Sequence, residues 1–146
     1  MSDDAPILLM KSVTENVPIT SVAFCPTAPL LATGSTAQSN GMTLWKLKKG
    51  INFSHPSYNW DMDGRVNLNG HTGIVTSVAF HSTAPLLATG SGDNTVRLWL
   101  LSSDNSSATC VATLTGHSGS VFSVAFHPTA PLLATGSDDN TMRFWR

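Results

Sequence analysis

Charge is scarce in this chain. Asp, Glu, Lys and Arg make up 12% of its 146 residues, about half the share of an ordinary globular protein. The 8 basic and 9 acidic residues leave a net charge of -1, which provides no broad basic field for nucleic acid or an anionic membrane. Cysteine is scarcer still: Cys25 and Cys110 are too few and too unpatterned for a disulfide scaffold and read as free thiols. No stretch approaches the roughly 20 apolar residues of a membrane helix. The chain opens with Ser2, Asp3 and Asp4 and lacks the basic, then apolar, pattern of a secretory leader, so the default expectation is an intracellular, cytoplasmic protein. On that expectation the acceptor patterns at Asn52 and Asn105 are chance matches to a glycosylation signal. A phosphate-cradling GxxxxGK run and a close His or Cys pair are both missing, so no cofactor and no metal are expected.

What the chain does have is repetition. His71 to Trp99 reads HTGIVTSVAFHSTAPLLATGSGDNTVRLW, and His117 to Trp145 reads HSGSVFSVAFHPTAPLLATGSDDNTMRFW, with 22 of 29 positions identical and no gap. A looser copy starts near Ile19. Internal repeats of this size signal a stacked architecture in which neighbouring units bury one another's faces.

Within each copy the runs ITSVAF, VTSVAF and VFSVAF alternate apolar and small polar side chains, the pattern of a strand with one buried face. Pro and Gly clusters separate them from further strands at Leu30 to Gly34 and Met42 to Leu47. Arg65 to Leu68 and Thr109 to Leu114 read as outer strands, and Pro6 to Val13 as another strand of that outer type. Asn94 and Asn140, after Asp93 and Asp139, suit a tight turn. The LLATGS run begins at Leu30, Leu86 and Leu132. The wider first spacing reflects an insertion after Lys48, whose stretch Phe53 to Gly64 has no clear periodicity. A shorter Ser- and Asn-rich loop spans Leu101 to Ala108.

The pairs Gly70-His71 and Gly116-His117, the repeated SVAF and LLATGS runs, and the segments Asp93 to Trp99 and Asp139 to Trp145 together resemble WD40 repeats, the blade units of β-propellers. The resemblance covers nearly all of the chain from residue 17 onward. It departs from the family after each Trp, where Lys46, Leu100 and Arg146 stand in place of the frequent Asp. It implies an all-β fold of three four-stranded blades, half of a six-bladed propeller closed by dimerisation. The implied organisation is an N-terminal segment at 1–16, a degenerate first unit at 17–48, the insertion and outer strand at 49–69, a second unit at 70–100, a loop and outer strand at 101–115, and a third unit at 116–146.

The resemblance also implies a structural hydrogen-bond network through His71, Thr89, Asp93 and Trp99, and again through His117, Thr135, Asp139 and Trp145. Buried indole and imidazole groups need partners, so such a network closes what the sheet leaves open. The first unit keeps Thr33 and Trp45 but has Glu15 and Ser39 where His and Asp stand elsewhere, and it is expected to be the weakest. A catalytic reading of His, Thr and Asp fares poorly, because the set recurs with the blade and is tied to Trp rather than to a substrate pocket. His55, His81 and His127 are read as solvent-facing loop residues.

Three blades are too few for a ring, and an open arc would expose faces and strand edges. The expected partner is therefore a second copy of the chain, with the outer-type strand at 6–13 of one subunit finishing the last blade of the next; the alternative is a larger complex in which another protein supplies the missing blades. Function is expected to be that of a non-catalytic protein-interaction scaffold with an unidentified protein or peptide ligand. Candidate contacts are Thr72, Ile74, Ser118 and Ser120 near the blade loops, and the aromatic trio Phe53, Tyr58 and Trp60 in the insertion. Nucleic acid is disfavoured because those aromatics lack an accompanying basic groove.

Overall fold

The computed structural model describes residues 15–37, 41–49 and 60–146. Three antiparallel sheets follow one another along the chain. The first contains β1 (Ile19–Phe24), β2 (Leu30–Ser35), β3 (Met42–Lys49) and β4 (Trp60–Leu68), hydrogen-bonded in that order. The second contains β5 (Val75–Phe80), β6 (Leu86–Ser91), β7 (Val96–Leu101) and β8 (Ala108–Leu114), again in chain order. The third contains β9 (Val121–Phe126), β10 (Leu133–Ser137) and β11 (Met142–Trp145), and has three strands among the described residues.

Strand alternation places successive side chains on opposite faces, and β6 shows how the middle sheet uses both. Leu87 enters a core shared with Leu30, Ala32, Met42, Leu44 and Leu68 of the first sheet. Its neighbour Ala88 enters a second core with Val121, Val124 and Leu133 of the third. The same LLATGS sequence thus serves two packing surfaces, which explains why it is small or apolar throughout. The first strands β1, β5 and β9 lie side by side across the three sheets.

Register is the same in each unit. Val22 pairs with Thr33, Val78 with Thr89 and Val124 with Thr135, and the inner pair of each sheet carries one irregularity near its start. The fourth strand of the first sheet is longer than the Arg65 to Leu68 expected from sequence. It starts at Trp60, and Lys49, Lys48 and Leu47 pair with Trp60, Asp61 and Met62 before a register shift. Trp60 therefore begins a strand instead of lying in a loop. Backbone pairing with β3 extends the ladder back to Trp60, where the apolar and acidic residues of Trp60 to Asp63 already alternate at the strand period. Phe53, Tyr58, Ser39 and the expected strand at 6–13 lie outside the described residues.

His81 is half-buried where a solvent-facing residue was expected, while His127 is exposed; both rings nonetheless bind their own turns. The Nδ1 of His81 accepts the backbone N–H groups of Thr83 and Ala84 at 3.2 and 3.0 Å, and that of His127 accepts those of Thr129 and Ala130 at 3.1 and 2.9 Å. Each ring therefore organises the turn between two strands. His81 additionally lies edge-on to Phe126 of the next sheet, with ring centroids 5.2 Å apart.

Candidate functional site

The polar side chains within the second sheet form a directed chain of hydrogen bonds. The Trp99 indole N–H, on β7, donates to Thr89 Oγ1, on β6, at 2.9 Å. Thr89 Oγ1 lies 2.7 Å from His71 Nε2, and His71 Nδ1 lies 2.8 Å from Asp93 Oδ2. An ionised carboxylate only accepts, so His71 donates from Nδ1 and its Nε2 accepts the Thr89 hydroxyl. The third sheet repeats the arrangement: Trp145 to Thr135 at 2.9 Å, Thr135 to His117 at 2.8 Å, and His117 to Asp139 at 2.8 Å.

Local sequence places the carboxylates. Ser91 Oγ accepts the Asp93 N–H at 3.1 Å, while Asp93 Oδ1 accepts the Thr95 N–H at 2.9 Å and its hydroxyl at 2.6 Å. Asn94 takes φ 71° and Asn140 φ 67°, a left-handed conformation that Asn adopts more readily than most residues. Gly73 lets the preceding loop come close, since a Cβ there would lie 2.6 Å from the Asp93 nitrogen. Thr95 and Thr141 are absent from the sequence-based set, yet both hydroxyls bind the turn Asp. Their signal was the shared D-N-T at Asp93 to Thr95 and Asp139 to Thr141.

The electrostatics follow from these bonds. Burial opposes ionisation of Asp93, but hydrogen bonds from Thr95, His71 and the Thr72 amide outweigh it and bring its pKa down to about 2. Burial is also the largest influence on His71, and it lowers that pKa despite the neighbouring carboxylate. The hydrogen bond from the Thr141 hydroxyl leads those that hold Asp139 below the usual carboxylate range.

Thr89 is fully buried, His71, His117 and Thr135 are buried, and every member of the two chains already has its partner. The hydroxyl that a nucleophile would need to expose is sealed between an indole and an imidazole. Among the described residues no group of three or more His, Cys, Asp and Glu is placed to hold a metal ion.

The candidate contact residues sit beside these networks. The amides of Thr72 and Ser118 donate to Asp93 and Asp139 at 3.0 and 3.1 Å, while both residues remain exposed. Ile74 is exposed, and the carbonyls of Ile74 and Ser120 accept the Gly92 and Asp138 N–H groups at 2.8 and 3.0 Å. The loops are thus fixed from below while the Thr72 and Ser118 side chains face outward. Trp60 stands at the start of β4, at the opposite end of that strand in sequence from Thr72.

Among the described residues, the first sheet shows the indole–hydroxyl bond of the network without the His and Asp steps beyond it. Its Trp45 indole donates to Thr33 Oγ1 at 3.0 Å. Glu15 instead forms a 3.1 Å ion pair with Arg65, whose guanidinium carbon lies 5.3 Å from the Trp45 ring centroid.

Three consecutive antiparallel sheets, packed face to face with their first strands adjacent, define a blade-type β-repeat protein. The profile of the WD40 family, described as WD domain, G-beta repeat, matches residues 9–45, 64–99 and 108–146. Those segments cover most of the chain, which belongs to the WD40 family. Proteins of this family are generally non-catalytic scaffolds. No helix among the described residues is long and apolar enough to cross a membrane.

Proposed function

We propose that this protein is a non-catalytic protein-interaction scaffold whose three blades are half of a six-bladed propeller, the other half coming from a second copy. The observation that carries this reading is the pair of open terminal faces. Val22 is 62% exposed on the first sheet, whereas its counterparts Val78 and Val124 are each 6% exposed against a neighbouring blade. At the other end Met142 is 69% exposed, against 1% for Met42 and 0% for Val96. Positions that are core in the interior of the arc are surface at its ends, and a contiguous apolar face of this kind marks an interaction site.

In the assembled ring, Thr72, Ile74, Ser118 and Ser120 provide a rim held by the hydrogen-bonded Asp93 and Asp139 turns. Such a surface binds a protein or peptide without having to order its own loops first, which lowers the entropic cost of association. Phe53, Tyr58 and Trp60 are a second proposed contact region.

Native mass spectrometry across a concentration series tests the assembly. The expected result is a dominant species at twice the 15.5 kDa subunit mass. Three times that mass would replace six blades with nine, and a chain recovered only with a different protein would assign the missing blades to that partner. Alanine substitution of Thr72, Ile74 and Ser118 in the dimer is expected to reduce recovery of a bound peptide without changing the mass. Unaltered recovery would remove these loops from the binding surface.

A further inference from the structure

The two internal joints of the arc share a valine seated on a glycine and a serine hydroxyl bound to a backbone amide, and the two open ends carry the separated halves of both. At the first joint, Val75 at the start of β5 seats on Gly34, where a Cβ would lie 3.0 Å from Val75 Cγ1. At the second, Val121 seats on Gly90, where a Cβ would lie 2.8 Å from Val121 Cγ1. The corresponding glycine of the third sheet, Gly136, has only Ser123 Cβ near the same point, at 4.0 Å. The corresponding apolar residue of the first sheet, Ile19, is exposed.

A serine hydroxyl follows the same logic. Ser21 Oγ accepts the Val78 N–H and Ser77 Oγ accepts the Val124 N–H, both at 3.2 Å. Ser123 occupies the next position in this series and Val22 the matching amide. Finally, Cys25 and Phe80 pack against the first core, and His81 meets Phe126 edge-on at the second joint. This leaves His127 and Phe24 as the remaining pair, both exposed.

The geometry points to a head-to-tail contact in which the third sheet of one copy receives the first sheet of another, with Ile19 seated on Gly136, Val22 N–H on Ser123 Oγ, and Phe24 against His127. It rests on the reading that a second copy supplies the closing blades, and it adds which surface meets which. The contact is heterologous: the two faces are different patches, so each copy offers one of each and two identical joints close a pair. One feature of the internal joints is missing from it. The hydroxyls of Thr20 and Thr76 donate to the carbonyls of Val75 and Val121, whereas Phe122 stands at the matching position of β9 and brings an exposed ring. Together with exposed Met142 and Phe144, it makes the closing joint more apolar than the two inside the chain.

Two single substitutions separate the faces. Gly136→Val fills the empty seat on the third sheet, in a strand where a β-branched residue is well tolerated and where an added Cβ meets nothing of the same copy closer than Ser123 Cβ at 4.0 Å. Phe24→Asp places a charge on the first sheet at a position already open to water. Each variant alone is expected to fold with wild-type circular dichroism and to dimerise at least about tenfold more weakly, because overpacking or burying a lone charge penalises the joint. Mixed together, they regain association above either alone, since the Phe24→Asp copy retains an intact third sheet and the Gly136→Val copy an intact first sheet. Light scattering of the separate and mixed proteins reads all three cases.

A series of masses above the dimer, abolished by either substitution, upholds the joint in an open chain of copies. A wild-type dimer that neither substitution weakens, or a mixture that shows no rescue, overturns the joint while leaving two-copy assembly in place. A wild-type chain that remains monomeric overturns both.

Discussion

Trp99 and Trp45 occupy the same position in adjacent sheets and both donate to a threonine hydroxyl, but what lies beyond that hydroxyl differs. Behind Thr89 the chain continues through His71 to Asp93 and two backbone turns. Behind Thr33 no such chain is present among the described residues, and the indole is flanked instead by the Arg65 guanidinium and its Glu15 partner. One sheet ties its tryptophan into the loop at the end of the blade, whereas the other covers it with a more exposed ion pair. The second arrangement holds the ring in place through a cation and its carboxylate partner instead of through a turn.

The largest expected effect comes from the threonines. Thr89→Val removes the hydroxyl shared by Trp99 and His71, leaving two buried groups unpartnered, and should cost about 2–4 kcal/mol in urea unfolding. Thr33→Val strands only the Trp45 N–H and should cost about 1–2 kcal/mol. Equal losses would show that the His and Asp add nothing to the second sheet.

Acid should reveal the same difference. Asp93 titrates near 2 in the folded chain against an ordinary 3.8, so its contribution is complete above pH 3.8 and is lost as pH falls toward 2. His71 is lowered from 6.5, which means that the unfolded chain takes up its proton first and stability begins to decline as pH drops below 6.5. Both effects destabilise in acid, by about 1–2 kcal/mol together after allowing for solvent screening. Amide protection, measured relative to the intrinsic exchange rate at each pH, should therefore fall more in β7 than in β3 between pH 7 and 4, because His71 stands behind Thr89 and no histidine stands behind Thr33 among the described residues.

A smaller effect is expected from Arg65→Ala, which removes the ion pair and the cation over Trp45, at about 0.5–1.5 kcal/mol. High salt should erase part of that difference and leave the Thr89→Val loss unchanged. Smallest of all, Asn94→Gly keeps a residue suited to φ 71° and should shift stability by about 0.5 kcal/mol or less, whereas Asn94→Val should cost more than that because a β-branched side chain resists this conformation.

The strand plan could be read from the repeat because alternation and turn residues recur at fixed offsets, and the gapless match of the second and third units left little freedom in register. The long β4 was missed although Trp60, Met62, Val66 and Leu68 alternate with Asp61, Asp63, Arg65 and Asn67, because the aperiodic run from Phe53 hides where the alternation begins and pairing with β3 sets that start. For the candidate site, the positions of His71, Thr89, Asp93 and Trp99 were legible as recurring residue types. The direction of each bond was not, because it depends on which imidazole nitrogen meets the carboxylate. The turn-forming role of His81 and His127 was hidden for a related reason: a ring accepting backbone N–H groups leaves no spacing signature. The blade joints were the least legible part. Gly34, Gly90 and Gly136 are identical in all three copies, so comparing the copies gives no hint that two of them are filled and one is empty.

Each unit carries both a peg, at Ile19, Val75 or Val121, and a pit, at Gly34, Gly90 or Gly136, and the peg of one unit enters the pit of the unit before it. A duplicated unit therefore arrives with the mate for its own copy already in place, and the repeat can lengthen without any new contact being invented. The same coupling limits later divergence. A side chain gained at a pit is felt by the following unit's peg, so compatible changes have to appear in neighbouring copies as pairs.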